Sequence, residues 1–399
     1  MDFCQATTEG LSALTDEAYV QQFFGNASEA LGIALLGYIK AEFVRNLERV
    51  TWMDEETRAH ALTKARRMQL NLGGPASYIS FPYPVSRESY FNNSVNAVRC
   101  RQLRQFVDVG QPRDAGSWKF PASTVNAWYD NSNNALYVPA AMMQKPFFSP
   151  DFPPAQNFGA IGAVMAHEMT HGYDDTGAYF DEDREMRMWW SKPAASTFSA
   201  RARCIQTLYN GLSIDGVRVR GTATLGENIA DFGGLKVAYR AYMAWYNATY
   251  GGAPTLEDRQ LVFIAFGQNW CDKQHSQMQR YLVSSDEHAP SVFRTNVVVS
   301  QNADFAETFS CPAGSAMNPE DKCVMWKQIP ATRSEILARA PKDGGEADEY
   351  WVAPPAMEWK GYKSGQKFQA KGWKWLPSLG RTSADNWQFK HLLETRAST

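Results

Sequence analysis

The feature that most constrains this chain is the run His167-Glu168-Met169-Thr170-His171, in which two histidines stand four residues apart. On an α-helix, positions i and i+4 share one face, so both imidazoles can be directed at one metal ion about 2.0 to 2.1 Å away. Glu168 then lies beside the metal ion and not on it. Apolar residues at near-helical spacing between residues 158 and 166 predict a half-buried helix, which Gly172 can end.

A second run, residues 226–234 (Gly-Glu-Asn-Ile-Ala-Asp-Phe-Gly-Gly), supplies what the first lacks. A catalytic zinc site uses three protein ligands and leaves one position open, and Glu227 is the natural third ligand. Asp231 lies four residues later on the same helical face, where it could accept the free ring N–H of a zinc-bound histidine. Asp174 is a second candidate for this orienting role. Each run alone would also fit an ordinary buried or solvated helix, but the pairing of the two favours a metal site.

The two runs resemble the zinc motifs of the neprilysin and endothelin-converting-enzyme family of metallopeptidases. Further matches follow in the family's order: Val125-Asn126-Ala127-Trp128-Tyr129, Asp286-Glu287-His288-Ala289-Pro290 with Phe293-Arg294, and Met317-Asn318-Pro319 through Cys323 to Trp326. The last block is similar to the family's usual C-terminus. The resemblance implies a mainly α (α+β) fold, in which a remnant of a helical domain precedes a zincin-type catalytic domain with the metal-binding helix and a small sheet.

The resemblance also implies the residues of the metal site. Three of them would bind one Zn²⁺ per chain: His167, His171 and Glu227. Glu168 would be the catalytic carboxylate that acts as general base. Two aspartates would orient the ligands: Asp174 and Asp231, of which Asp231 also counts among the catalytic residues.

By the same resemblance, Asn126 and the backbone of Ala127 hold the substrate's main chain. Arg294 would bind a substrate carbonyl through its fixed fork of donors, and the catalytic residue His288 would stabilise the developing oxyanion. Without the family, His288 would be read as a surface histidine and residues 125–129 as an edge strand.

The function implied is that of a zinc metalloendopeptidase, which cleaves peptides internally beside a hydrophobic residue. The alternative is a non-catalytic zinc-containing peptide-binding protein, or an inactive fragment that lacks the closing domain. The open fourth position argues against a purely structural zinc. Trp128 and Asn269 depart from the family pattern and leave the side-chain preference open.

We expect four segments along the chain. Residues 1–75 resemble the end of the family's helical N-terminal domain, 76–120 form a linker region, 121–326 form the catalytic domain, and 327–399 form a Trp/Lys-rich extension. Because the resemblance begins part-way into the family, we expect a C-terminal fragment, a partial gene model or a truncated relative. Tryptophans interleaved with lysines in the extension can stack on nucleic acid, lie at a membrane surface or form a simple tail, and we assign them no function.

Apolar periodicity predicts the main elements. Helices are expected at Ala30 to Val50, Glu56 to Leu72, Leu235 to Tyr250 and Leu256 to Cys271, and strands within Ala122 to Pro139. The longest apolar stretch, Leu31 to Ile39, is expected to be a core helix and is too short to span a membrane.

The chain has six cysteines, an even count that is compatible with disulfides in an oxidising compartment, although six reduced thiols remain an alternative. By resemblance Cys204 pairs with Cys323, and the partners of Cys4, Cys271 and Cys311 would lie in the missing segment. Cys100 has no counterpart. Unpaired cysteines could therefore link the chain to a partner. Glycosylation sequons favour secretion: Asn26, Asn92 and Asn247.

A net charge of -2 gives no electrostatic reason to expect a nucleic-acid partner. Asp2 and Glu9 stand where a signal peptide would have a basic start and an apolar run. The family resemblance nevertheless implies an extracellular or cell-surface lumenal location.

Overall fold

Helices make up most of the structure, a computed structural model that describes residues 11–78, 81–112 and 114–326. These residues all belong to one compact unit, Met1–Lys360. The second unit, Gly361–Thr399, lies outside the described residues, as do Cys4 and the predicted extension 327–399. The predicted boundaries at residues 75 and 120 remain predictions.

The helices are, in chain order, α1 (Ser12–Phe23), α2 (Asn26–Arg49), α3 (Glu55–Arg67), α4 (Tyr90–Val107), α5 (Pro154–Asn157), α6 (Ala163–His171), α7 (Lys192–Asn210), α8 (Leu225–Tyr250), α9 (Leu256–Gln268), α10 (Ser276–Ser285), α11 (Ser291–Ser300) and α12 (Ala303–Thr308). A π-helical turn (Phe158–Gly162) joins α5 to α6, and a 3₁₀ turn covers Gly177–Tyr179. The strands are β1 (Gln69–Gly73), β2 (Trp128–Asp130), β3 (Ala135–Pro139), β4 (Ser213–Ile214) and β5 (Val217–Arg218).

Three of the predicted helices are present with shifted ends, as α2, α8 and α9. α8 begins at Leu225, earlier than predicted, and therefore includes the second run of the sequence. The prediction of one helix from Glu56 to Leu72 was wrong: α3 ends at Arg67, and residues 69–73 form strand β1. The strand forms because it pairs with β3, a partner that is distant in sequence and leaves no trace in local periodicity.

Helix α3 has strong local signals at both ends. The side chain of Asp54 caps its N-terminus by accepting a hydrogen bond from the amide of Thr57 at 2.9 Å. Acidic residues occupy the first turn and basic residues the last, as the helix dipole favours. This capped helix lies against α2, and its Lys64 donates hydrogen bonds to the backbone that follows α6.

The small sheet has the strand order β1-β3-β2. β3 is parallel to β1 and antiparallel to β2, and every residue of β3 is buried. β2 therefore forms an edge of the sheet, and it packs against α6. The segment just before β2 therefore leads directly into a strand that packs against α6.

The core lies where α2, α6 and α8 pack against one another. The apolar stretch Leu31 to Ile39 lies within α2, where Leu35 and Ile39 are fully buried, as expected of a core helix. Within the described ranges, no helix has both the length and the apolar character that a membrane crossing requires.

The predicted disulfide between Cys204 and Cys323 is present and links α7 to the segment that ends at Trp326. Among the described cysteines the thiols of Cys100, Cys271 and Cys311 are free. Cys100 is buried, whereas Cys271 is exposed.

Candidate metal centre

Helix α6 carries both histidines and the glutamate of the first run. His167 and His171 lie one turn apart, with their Nε2 atoms 3.0 Å from each other. The helix ends at His171 with Gly172 as its C-cap, as predicted. It is almost wholly buried, so the prediction of a half-buried helix was wrong, because α6 packs against both α2 and α8.

Helix α8 brings Glu227 to the two imidazoles. The carboxylate oxygens of Glu227 lie 3.1 Å from Nε2 of His167 and 3.4 Å from Nε2 of His171. Two glycines permit this close approach of α8 to α6. A Cβ at Gly233 would lie 2.6 Å from Oγ1 of Thr170, and one at Gly234 would lie 2.8 Å from the carbonyl oxygen of Ala163.

The three side chains fit a zinc ion. One ligand atom from each of His167, His171 and Glu227 lies within 4.8 Å of the others. Oε2 of Glu227 is buried and has no directed hydrogen bond within the described part of the chain, despite its proximity to His167. A buried carboxylate oxygen without a donor is costly unless a cation meets it. Two imidazoles and one carboxylate are also a donor set of catalytic zinc sites.

Two aspartates contact the outer ring nitrogens of the histidines. Oδ2 of Asp174 lies 2.7 Å from Nδ1 of His171. Oδ1 of Asp231 lies 2.8 Å from Nδ1 of His167, although the two atoms do not form a well-directed hydrogen bond. Both aspartates are buried. Each therefore stands where it can fix the orientation of one imidazole.

Arg294, from α11, forms a two-pronged contact with Asp231. Its Nε and Nη2 atoms each donate to an Asp231 oxygen at 2.8 Å, and Nη2 lies 3.6 Å from Oε2 of Glu227. The guanidinium also stacks on the ring of Trp270, 3.8 Å from its centroid. The structure thus fixes Arg294 at the edge of the site, with Nη1 outside the pair with Asp231.

His288 approaches the metal centre from the loop before α11. Its Nε2 lies 3.3 Å from Oε2 of Glu227, and its Nδ1 lies 2.7 Å from Oδ1 of Asp286. Its side chain is 37% exposed, so a ligand from solvent can reach it. Glu227, His288 and the exposed Glu287 form a second group of neighbouring ligand atoms, which shares Glu227 with the first.

The carboxylates make this pocket favourable for positive charge. Burial alone would lower the pKa of His167, but Asp231 and Glu227 raise it to about 10. Burial alone would raise the pKa of Glu227, but His167 and His171 hold it well below its usual range. By contrast, burial raises the pKa of Glu168, which is 6% exposed. Glu168 is therefore a better proton acceptor than a solvated carboxylate.

The residues expected to hold a substrate backbone lie just before edge strand β2. Asn126 is exposed and Ala127 is buried. Trp128 begins the strand and stacks on Tyr137, with ring centroids 5.1 Å apart. Asn269, the other departure from the family pattern, donates from Nδ2 to the carbonyl oxygen of Ala160 at 3.1 Å. Strand β2, which directly follows Asn126 and Ala127, packs against α6.

Sequence reasoning missed three contacts at or near the site: those of Asp286 with His288, of Trp270 with Arg294, and of Lys64 with the backbone that follows α6. Asp286 could have been found, because an Asp two residues before a histidine often accepts its backbone amide, as it does here at 2.8 Å. Lys64 carries no such signal. Its contacts lie more than one hundred residues away in sequence.

Models of peptidase family M13 match two parts of the chain, residues 126–325 and residues 2–75. Human endothelin-converting enzyme-like 1 is 38% identical over 319 residues, which are 77% of this chain and 41% of that relative. Neprilysin-11 of Caenorhabditis elegans is 34% identical over 343 residues, which are 82% of this chain and 40% of that relative. The chain thus spans about two fifths of the length of these relatives.

Solved structures agree with the sequence matches. Zinc metalloprotease Zmp1 of Mycobacterium tuberculosis, in complex with an inhibitor, gives a TM-score of 0.72 at 28% identity and covers 79% of this chain and 50% of its own. PepO from Lactobacillus rhamnosis gives a TM-score of 0.72 at 28% identity and covers 80% of this chain and 50% of its own. The mainly helical fold with a small sheet, the matched residue ranges and the relatives agree, and the chain belongs to peptidase family M13.

Proposed function

We propose that this chain is a zinc-dependent metalloendopeptidase that hydrolyses internal bonds of peptides. The observation that carries the proposal is the convergence of His167, His171 and Glu227 beside the buried carboxylate of Glu168. Two imidazoles and one carboxylate would hold one zinc ion and leave a position open for catalysis. When bound, zinc would acidify a water molecule and polarise the scissile carbonyl.

Glu168 is the residue that moves protons in this proposal. Its carboxylate takes a proton from the attacking water and later passes it to the leaving amine. Burial raises its pKa, which favours proton acceptance. Asp174 and Asp231 keep the two imidazoles in the orientation that exposes Nε2 to the metal, because each lies against an Nδ1 atom.

The remaining residues act on the substrate. His288, held by Asp286, would donate to the oxygen of the tetrahedral intermediate. Nη1 of Arg294 would bind a substrate carbonyl, because Asp231 engages the other two nitrogens of the guanidinium. Asn126 and the backbone of Ala127 would hold an extended peptide beside the edge strand β2. We place the protein outside the cell or at the cell surface, because the disulfide between Cys204 and Cys323 favours an oxidising compartment.

Cleavage of an internally quenched fluorescent peptide, measured together with zinc content, tests the proposal. Glu168→Gln should keep the zinc and lose turnover by about a hundredfold or more, because the general base is gone while the ligands remain. Glu29→Gln, the same change at an exposed position of α2, is the matched control and should behave as the wild type. Zinc-loaded wild type without turnover would instead support a peptide-binding protein, and turnover in Glu168→Gln would refute the role of Glu168.

A further inference from the structure

Lys64 is a fully buried lysine of α3 whose ammonium binds the loop that follows the metal-binding helix. Its side chain is 0% exposed. Nζ donates to the carbonyl oxygens of Gly172 at 2.6 Å, Gly177 at 2.9 Å and Phe180 at 2.6 Å. All three acceptors belong to residues 172–180, which we call the 172–180 loop.

An ammonium suits this place for two reasons. Lysine has three N–H donors, and three carbonyl oxygens converge on its nitrogen. Gly172 is also the C-cap of α6, where the helix dipole favours a cation. Burial lowers the pKa of Lys64 to about 7, while the negative charges of Asp174, Asp181 and Glu182 oppose that shift and favour the ammonium form. Methionine could fill the same volume but would leave the carbonyl oxygens without donors.

The 172–180 loop carries Asp174, the residue that contacts His171. One carboxylate oxygen of Asp174 lies 2.7 Å from Nδ1 of His171, and the other accepts the amides of Thr176 at 2.8 Å and Gly177 at 2.7 Å. Gly177 therefore binds Asp174 through its N–H and Lys64 through its carbonyl. The backbone is tightly packed at Gly177, since a Cβ there would lie 2.0 Å from the carbonyl oxygen of His171.

We propose that Lys64 is a positioning residue for the metal site, which holds the 172–180 loop so that Asp174 keeps the imidazole of His171 directed at the metal. The inference rests on the proposed zinc centre. Other contacts fix α3 against the same region. The hydroxyl of Tyr173 donates to the carbonyl oxygen of Ala61 at 2.7 Å, and Nδ2 of Asn134 donates to the carbonyl oxygen of Lys64 at 3.0 Å.

Lys64 would link the two segments of the chain that the family models match. Lys64 lies in the part matched over residues 2–75, whereas the 172–180 loop lies in the part matched over residues 126–325. The first segment would thus contribute to metal binding although it supplies none of the three candidate ligands.

Zinc affinity, measured by competition with a chelator, separates this role from a general contribution to stability. Lys64→Met should weaken zinc binding by about tenfold, the lower end of the effect of residues that support metal ligands. Lys40→Met is the matched control. Lys40 is also a buried lysine that donates to two backbone carbonyl oxygens, at Arg66 and Met68, both at 3.0 Å, but it does not bind the 172–180 loop. This control should lose stability and keep zinc affinity within about twofold of the wild type.

A double variant tests whether Lys64 acts through Asp174. Asp174→Asn can keep the amide contacts of the loop through its remaining oxygen but cannot accept the N–H of His171 through its NH₂ group. In that background Lys64→Met should weaken zinc binding by less than about twofold. A full tenfold effect there would overturn the route through Asp174.

The outcomes distinguish the two proposals. If the wild type binds no zinc, both the metal centre and the role of Lys64 fail. If the wild type binds zinc and Lys64→Met binds it as tightly as Lys40→Met does, only the role of Lys64 fails. If Lys64→Met does not fold, Lys64→Gln, which retains two donors, is judged by the same comparison. Failure of both Lys64 variants to fold while Lys40→Met folds would make Lys64 a folding requirement and overturn the proposal.

Discussion

The buried pair of Asp231 and Arg294 offers a sharp test of the site's electrostatics. Asp231 is 1% exposed and Arg294 is 7% exposed, and two hydrogen bonds of 2.8 Å join them. Removal of one partner from such a pair leaves a buried charge without compensation, which typically costs about 3 to 5 kcal/mol. We expect Asp231→Asn to lower the free energy of unfolding by about 3 kcal/mol, the lower end of this range. Glu227 lies 3.6 Å from Nη2 of Arg294 and would offset part of the charge of the guanidinium.

The double variant Asp231→Asn/Arg294→Met should cost clearly less than the sum of the two single variants. With both charges gone, no ion is left buried alone, and a coupling free energy of about 1.5 to 3 kcal/mol is expected for residues in direct contact. Urea unfolding in excess chelator measures the free energy of unfolding of the wild type, the two single variants and the double variant without a contribution from zinc binding. Additive costs within about 0.5 kcal/mol would refute the reasoning, because the two charges would then not depend on each other.

Three further predictions concern other parts of the molecule. Burial raises the pKa of Asp16 from 3.8 to about 6, so the folded state holds a proton that the unfolded state has lost, and stability should fall as the pH rises from about 4 to about 6. Asp16→Asn should abolish that fall and stabilise the protein at pH 7 by about 1 kcal/mol, a modest gain because the carboxyl group is only partly buried. Thermal unfolding of the wild type and the variant at about pH 4 and at pH 7 measures this difference. Gly234→Ala should destabilise by about 1 to 3 kcal/mol and weaken zinc binding, because its Cβ would lie 2.8 Å from the Ala163 carbonyl oxygen; unchanged stability and zinc content would contradict the close helix packing. Cys204→Ala/Cys323→Ala should lower the free energy of unfolding in urea by about 2 to 5 kcal/mol, because the disulfide joins residues 119 positions apart and constrains the unfolded chain. A smaller decrease would argue against that constraint.

The candidate metal centre could be predicted from sequence to the extent that its geometry is local. His167 and His171 share a helix face, and Asp231 follows Glu227 by about one turn, so spacing alone predicts which side chains point together. The close approach of α6 to α8 was not predicted, although Gly233 and Gly234 are its cause. A pair of glycines in a helix indicates that another segment packs closely there, but it does not indicate which segment that is.

Features that depend on distant residues escaped the sequence analysis. Residues 69–72 were predicted as the end of the helix that begins at Glu56, yet they belong to strand β1 and pair with β3. Lys64 looks like an ordinary basic residue of an amphipathic helix, and only the folded chain brings three carbonyl oxygens to it. The pair of Asp231 and Arg294 is similar, since 63 residues separate its members. Arg294 was assigned to a substrate carbonyl, with no indication that Asp231 would engage most of its guanidinium.

We propose above that His167, His171 and Glu227 hold one zinc ion. Anomalous diffraction at the zinc absorption edge from crystals of the protein tests it directly. We predict one strong anomalous peak within about 2.0 to 2.2 Å of Nε2 of both histidines and of a carboxylate oxygen of Glu227. A zinc-supplemented crystal without a peak at this position, or with its strongest peak elsewhere, would contradict the assignment of these three ligands.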